Sequence, residues 1–118
     1  MSGLSSRNKG KRGEREAAAK LEELGLASRP RRGVQYQGGP ESPDIVDDDG
    51  DFHWEVKRTE RLNVYDAMEQ AIEDCDSVLR TPVVLHRRNH KPWLMIIQLE
   101  DVEEFATKLC QRLGWEVR

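Results

Sequence analysis

Cysteine is scarce in this 118-residue chain: only Cys75 and Cys110 occur, neither in a C-x-x-C pair. That excludes a disulfide scaffold and a cysteine-built zinc site, and predicts two buried thiols in a reducing compartment. No stretch approaches the roughly 18 consecutive apolar residues of a membrane span. The start, MSGLSSRNKGKRG, has no apolar run of signal-peptide length, so a soluble, unexported protein without membrane partners is expected. Internal repeats and long low-complexity tracts are missing. So are a glycine-rich phosphate loop, a G-x-S-x-G elbow, and a serine or cysteine nucleophile with a base to activate it. His86 and His90 have the spacing of a zinc half-site but no second ligand pair, which leaves a basic hairpin tip touching phosphate as the better reading. The run DDDGD fails as an EF-hand loop, because Gly50 at the sixth position puts Ile45 first and Val56 twelfth, where carboxylates are required.

Charge, by contrast, is abundant at 35% of residues and unevenly spread. Residues 1–33 hold nine Lys/Arg against four Glu, whereas residues 34–76 hold three basic residues against thirteen acidic ones. A basic first third beside an acidic middle fits a protein that grips a polyanion with one surface and holds cations with another. A merely solvated charged surface would give the same counts.

The length and the 36% hydrophobic content allow one domain, residues 12–118, behind a flexible basic arm, 1–11. The fold class expected is α/β, a mixed central sheet flanked by helices in the order α-β-β-β-α-β-β-α. A helix is predicted from Arg12, its inner stripe formed by Glu14, Ala17, Ala18 and Leu21, with Gly25 ending it and Glu16 facing solvent. Strands follow at VQYQ (34–37), DIV (44–46) and FHWEVKR (52–58), the last alternating cleanly. Asn63 caps a second helix with a stripe of Tyr65, Met68, Ile72, Cys75 and Leu79. TPVVLH (81–86) and PWLMIIQL (92–99) read as strands joined by RRNHK. A last helix has Asp101 and Glu104 at capping-box spacing and a stripe of Val102, Phe105, Ala106, Leu109 and Leu113.

The informative stretch is residues 43–57. A two-residue turn at Asp49-Gly50 sets paired positions to sum to 99, which puts Asp44 opposite Glu55 and leaves Lys57 on the same face. His53 shares that face, as an ordinary strand histidine or a neighbour of the site. Phe52, Trp54 and Val56 point into the core. Two adjacent carboxylates repel, so either one pKa rises or a cation is recruited, and oxygen donors select a hard ion such as Mg²⁺ or Mn²⁺. Glu14, on an otherwise apolar stripe, is a third carboxylate needing compensation.

Glu14, Pro43-Asp44 and Glu55-Val56-Lys57, in that order, resemble the PD-(D/E)XK nuclease superfamily, and within it the archaeal-type Holliday junction resolvases and their phage and prophage relatives. The similarity runs through GERE, SPD…EVKR, YDAMEQA and PVVLHRRNHKPW. It implies a Mg²⁺-dependent DNA endonuclease for four-way junctions, with Mn²⁺ substituting. Asp44, Glu55 and the Val56 carbonyl would hold the ion and Glu14 would complete the sphere directly or through water. Lys57 would orient the attacking water or stabilise the phosphorane, leaving 5′-phosphate and 3′-hydroxyl ends. Gln70 matches a glutamine near the site in relatives, whereas the helical wheel turns it away from the Met68/Ile72 stripe, toward solvent. VQYQGGPES replaces a more basic loop of the archaeal pattern. Phosphate contacts are expected from Arg7, Lys9, Lys11, Arg12, Arg15, Arg29, Arg31, Arg32, Arg87, Arg88 and Lys91. A homodimer cutting paired strands is expected, with Trp93, Trp115 or Met68 at its contact. The resemblance implies a bacterial or phage-infected cytoplasm. Alternatives are a flap or nick nuclease of the same superfamily and a non-catalytic DNA-binding protein.

Overall fold

The structure is a computed structural model that describes residues 2–33, 44–75 and 77–115, with residues 2–9 described as backbone alone. The chain opens with α1, Ser2–Glu23, which begins ten residues before the predicted start at Arg12. Once a helix is anchored, each further residue costs little, and no proline interrupts this one. The segment read as an arm is therefore helical in its backbone. Gly25, at φ +73°, ends α1: its N–H reaches the Glu22 carbonyl at 3.0 Å and the Leu26 N–H reaches the Leu21 carbonyl at 2.9 Å. That double closure is the Schellman arrangement, and it returns Leu26 to the core beside Leu21.

The first described strand is β1, Arg31–Arg32, followed by β2, Ile45–Val46, and β3, Phe52–Arg58. The predicted strand VQYQ and Pro43 lie outside the described residues. Helix α2, Val64–Asp74, leads to β4, Thr81–Arg87, and β5, Leu94–Ile96. A 3₁₀ turn, Leu99–Asp101, absent from the expected order, precedes α3, Val102–Leu113. The result is α/β, with a five-stranded mixed sheet ordered β1-β2-β3-β4-β5 in which only β3 and β4 are parallel.

Strand β3 sends alternate side chains to opposite faces. Phe52 and Trp54 pack with Ala17, Ala18 and Leu21 of α1, Val83 and Leu85 of β4, and Phe105 of α3. The other face carries a smaller cluster, Ala67, Met68 and Ala71 of α2 with Val84. Gly13 permits close contact at the end of β3, since a Cβ there would stand 2.6 Å from that of Arg58.

Several local expectations need correction. The inner face of α2 is Ala67, Met68 and Ala71, while Tyr65 is 81% and Ile72 39% exposed. Small alanines let the helix approach the sheet closely, and the large residues flank that contact. Leu79 lies beyond the helix and is exposed, and Met68 is buried, so it is not available for a dimer contact. Trp93 is partly buried against the core, whereas Trp115 is exposed. Asp101 makes no capping bond from its side chain: its carboxylate accepts from Gln98 and Glu104 pairs with Lys108. In α3, Val102 and Ala106 are exposed and Phe105 turns inward. Both cysteines are half-buried rather than buried. No helix among the described residues is long and apolar enough to cross a membrane.

Candidate active site

The connection from β2 to β3 occupies residues 47–51, longer than the two-residue turn expected, yet Ile45 stands opposite Trp54 as the predicted register requires. The reason is Asp47. Its Oδ1 accepts from the N–H groups of Asp49 and Gly50, at 3.0 and 2.7 Å, and its Oδ2 from Trp54 Nε1 at 3.0 Å. The side chain thus closes the loop as a backbone turn would, with Gly50 supplying a φ of +70°. The other acids of the run are also engaged, Asp48 with Arg29 and Arg31 and Asp49 with Arg112.

Asp44, just ahead of β2, comes close enough to Glu55 for the two charges to interact. Asp44 donates its N–H to the Trp54 carbonyl at 3.0 Å, and its Oδ2 accepts from the Val56 N–H at 2.8 Å. Asp44 is 9% and Glu55 4% exposed. Burial first, and the Glu55 charge second, push the Asp44 carboxyl up to about 7, with a smaller push from Glu14; the Val56 N–H and Lys57 oppose them. In an extended strand the N–H and C=O of one residue leave on the same edge, so the Val56 carbonyl also faces the Asp44 side.

Lys57 Nζ stands 3.8 Å from Glu55 Oε2 and donates to Gln70 Oε1 at 2.6 Å. Gln70 is exposed on α2, as the wheel predicted, and still reaches the site because Lys57 extends to meet it. His53 is fully buried, with Nε2 3.6 Å from Glu55 Oε1. Asp74, at the end of α2, feels both: burial and Glu55 raise its carboxyl, and His53 works against them.

Glu14 does not stand uncompensated on its stripe. Arg32 Nε of β1 donates to Glu14 Oε1 at 2.8 Å, and the Glu14 carboxylate influences Asp44 through space. Glu16 does not face solvent: it pairs with Arg58 at 3.5 Å and closely with Arg87. A wheel registers angle around one helix and misses partners arriving from β3 and β4.

The donor set is the Glu55 carboxylate and the Val56 carbonyl of β3 with the Asp44 carboxylate from the adjoining segment. Among the described residues no three His, Cys, Asp or Glu side chains gather as a metal group. Mg²⁺ commonly takes only one or two carboxylates, keeping waters or substrate oxygens elsewhere, so this set fits a hard divalent cation, and the raised Asp44 carboxyl is the strain a cation would relieve.

Of the predicted phosphate contacts, Lys11, Arg12, Arg15, Arg88 and Lys91 are exposed. Arg29 and Arg31 are tied to Asp48, Arg32 to Glu14, and Arg87 to Glu16. The side chains of Arg7 and Lys9 lie outside the described part. His86 turns to the Thr59 carbonyl at 2.9 Å rather than outward, whereas His90 is exposed at the hairpin tip. No family model matches this chain, and neither the curated proteins nor the solved structures compared with it gave a match.

Proposed function

We propose that this protein is a Mg²⁺-dependent endonuclease that hydrolyses phosphodiester bonds in four-way DNA junctions. The observation that carries the reading is that Asp44, just ahead of β2, accepts from the Val56 N–H beside the Glu55–Lys57 pair of β3, with the Asp44 carboxyl raised to about 7 by burial and the Glu55 charge. When bound, Mg²⁺ would supply Lewis-acid stabilisation of the phosphate charge and activation of the attacking water. Asp44, Glu55 and the Val56 carbonyl would hold it. Gln70 fixes the Lys57 ammonium, which in this reading orients the water or meets the charge developing on the phosphate. Glu14, restrained by Arg32, tunes the field at Asp44 from the neighbouring helix.

Lys11, Arg12 and Arg15 on α1 and Arg88 and Lys91 in the β4–β5 hairpin offer exposed cations for a phosphate backbone, which position DNA without reading bases. Resolving a junction needs two opposed cuts, and one chain carries one such site, so a two-fold pair of chains is part of the proposal. An exposed apolar groove between α2 and the end of β5, lined by Tyr65, Ile72, Ile96 and Leu99, supports a second copy as partner.

The test is incubation with labelled four-way junction, flap, nicked and linear duplex DNA, in Mg²⁺ and in EDTA. Junction cleavage at least about tenfold above linear duplex, abolished by EDTA, is the expected result; tenfold corresponds to about 1.4 kcal/mol of transition-state preference. Preferential cutting of flaps or nicks removes the junction assignment and keeps the chemistry. Binding without cleavage removes both.

A further inference from the structure

We infer that His53 is a positioning residue for Glu55, its imidazole N–H holding one carboxylate oxygen so that the other faces the site. The inference rests on the reading of Asp44 and Glu55 as a cation site. His53 has 0% exposure in the middle of the sheet, and neither ring nitrogen has a hydrogen-bond partner among the described residues. A buried polar group left in that state costs stability, and a structure that retains one calls for an explanation. Residues 53, 55 and 57 share one face of β3, and the two oxygens of Glu55 have different neighbours: Oε1 faces His53 Nε2 at 3.6 Å and Oε2 faces Lys57 Nζ at 3.8 Å. Closing the first gap to a hydrogen bond of roughly 2.9 Å needs only a small rotation of Glu55. Asp74, at the end of α2, also acts electrostatically with both His53 and Glu55.

A carboxylate that ligates through one oxygen gains affinity when a donor fixes the other, because the ligand no longer has to be ordered on binding. His53 is the described side chain placed to do this from inside the sheet, while Lys57 serves the open side.

The experiment is calorimetric titration of the full chain with Mn²⁺, with thermal melts in metal-free buffer, for wild type, Asp44→Asn, His53→Phe, His53→Met and His53→Gln. His53→Phe and His53→Met, which remove the unpartnered nitrogens, should fold and bind Mn²⁺ about 10–100-fold more weakly. His53→Gln, whose amide can donate in place of Nε2, should bind within about threefold of wild type, a rescue that a packing role would not produce. The two apolar variants guard against one of them failing to fold. Wild-type affinity in a folded apolar variant overturns the inference, and so does an equal loss in the glutamine variant. Wild type and Asp44→Asn both failing to bind Mn²⁺ would instead remove the cation site itself, and this inference with it.

Discussion

The two faces of the sheet follow opposite rules. On the α1 and α3 face, Phe52 and Trp54 meet Ala17, Leu21, Val83, Leu85 and Phe105, with ring centroids 5.0 Å apart for Phe52–Trp54 and 5.2 Å for Phe52–Phe105. On the α2 face the same strand spends its burial on His53 and Glu55, and only Ala67, Met68, Ala71 and Val84 form an apolar cluster. One strand thus feeds an apolar layer and a charged layer with alternate residues. Damage to the first should unfold the protein, and damage to the second should leave it folded and inactive.

The largest effect is expected from Trp54→Ala. It empties a fully buried site and removes the indole bond that closes the Asp47 loop, so a loss of about 5 kcal/mol should appear in urea unfolding. The opposite face gives the contrasting outcome: Asp44→Ala, Glu55→Ala and Lys57→Ala should each cut cleavage by at least about 10³-fold, roughly 4 kcal/mol in the barrier. DNA binding, measured by gel shift, should stay within a few-fold, because affinity comes from phosphate contacts. A cleavage loss in Trp54→Ala without unfolding, or unfolding in Glu55→Ala, would break the division of labour.

The charged layer should also show itself in pH dependence. Raised from 3.8 to about 7, the Asp44 carboxyl holds its proton more tightly in the folded than in the unfolded chain. In metal-free buffer, stability should therefore fall as pH rises from about 4 through 7, by about 2–4 kcal/mol. Asp44→Asn, which still accepts from Val56, should flatten this slope, gaining at pH 8 and changing little at pH 4. Denaturation midpoints across that range measure it, and added Mg²⁺ should restore wild type while leaving the variant unmoved.

Two glutamates two residues apart on α1 sharpen the comparison further. Glu14→Gln should lower cleavage by at least about tenfold, or 1.4 kcal/mol, since it loosens Arg32 and changes the field at Asp44. Glu16→Gln should cost stability, about 1 kcal/mol, because Arg58 and Arg87 lose their shared carboxylate on the core side of the sheet. The smallest effect belongs to Leu99→Ser at 86% exposure: monomer stability should change by less than about 0.5 kcal/mol, while light scattering should show weakened pairing of chains.

Much of this was legible in the sequence where one element sufficed. The alternation of FHWEVKR gave β3 with its bounds, Asn63 caps α2 by accepting from the Asp66 N–H at 3.1 Å, and Ile45 stands opposite Trp54 as expected, although the loop between them is longer than the two-residue turn. Residues whose roles depend on a second element were read less well. Tyr65 and Ile72 looked like the inner stripe of α2 because they are large, yet close packing on Val84 selects Ala67 and Ala71. The pairing of Arg32 with Glu14 is invisible locally, because the glutamate lies 18 positions earlier.

The sequence by itself determined the strand and helix periods and the pairing of Ile45 with Trp54, because each depends on backbone geometry within a few neighbours. Only the tertiary structure decided that Arg32 compensates Glu14, that Glu16 binds two arginines, that Gln70 holds Lys57, and that His53 is sealed beside Glu55 without a hydrogen-bond partner among the described residues. Those outcomes depend on which charged groups from distant segments share a poorly solvated space. There the strength of each pairing is set by burial and distance rather than by spacing along the chain.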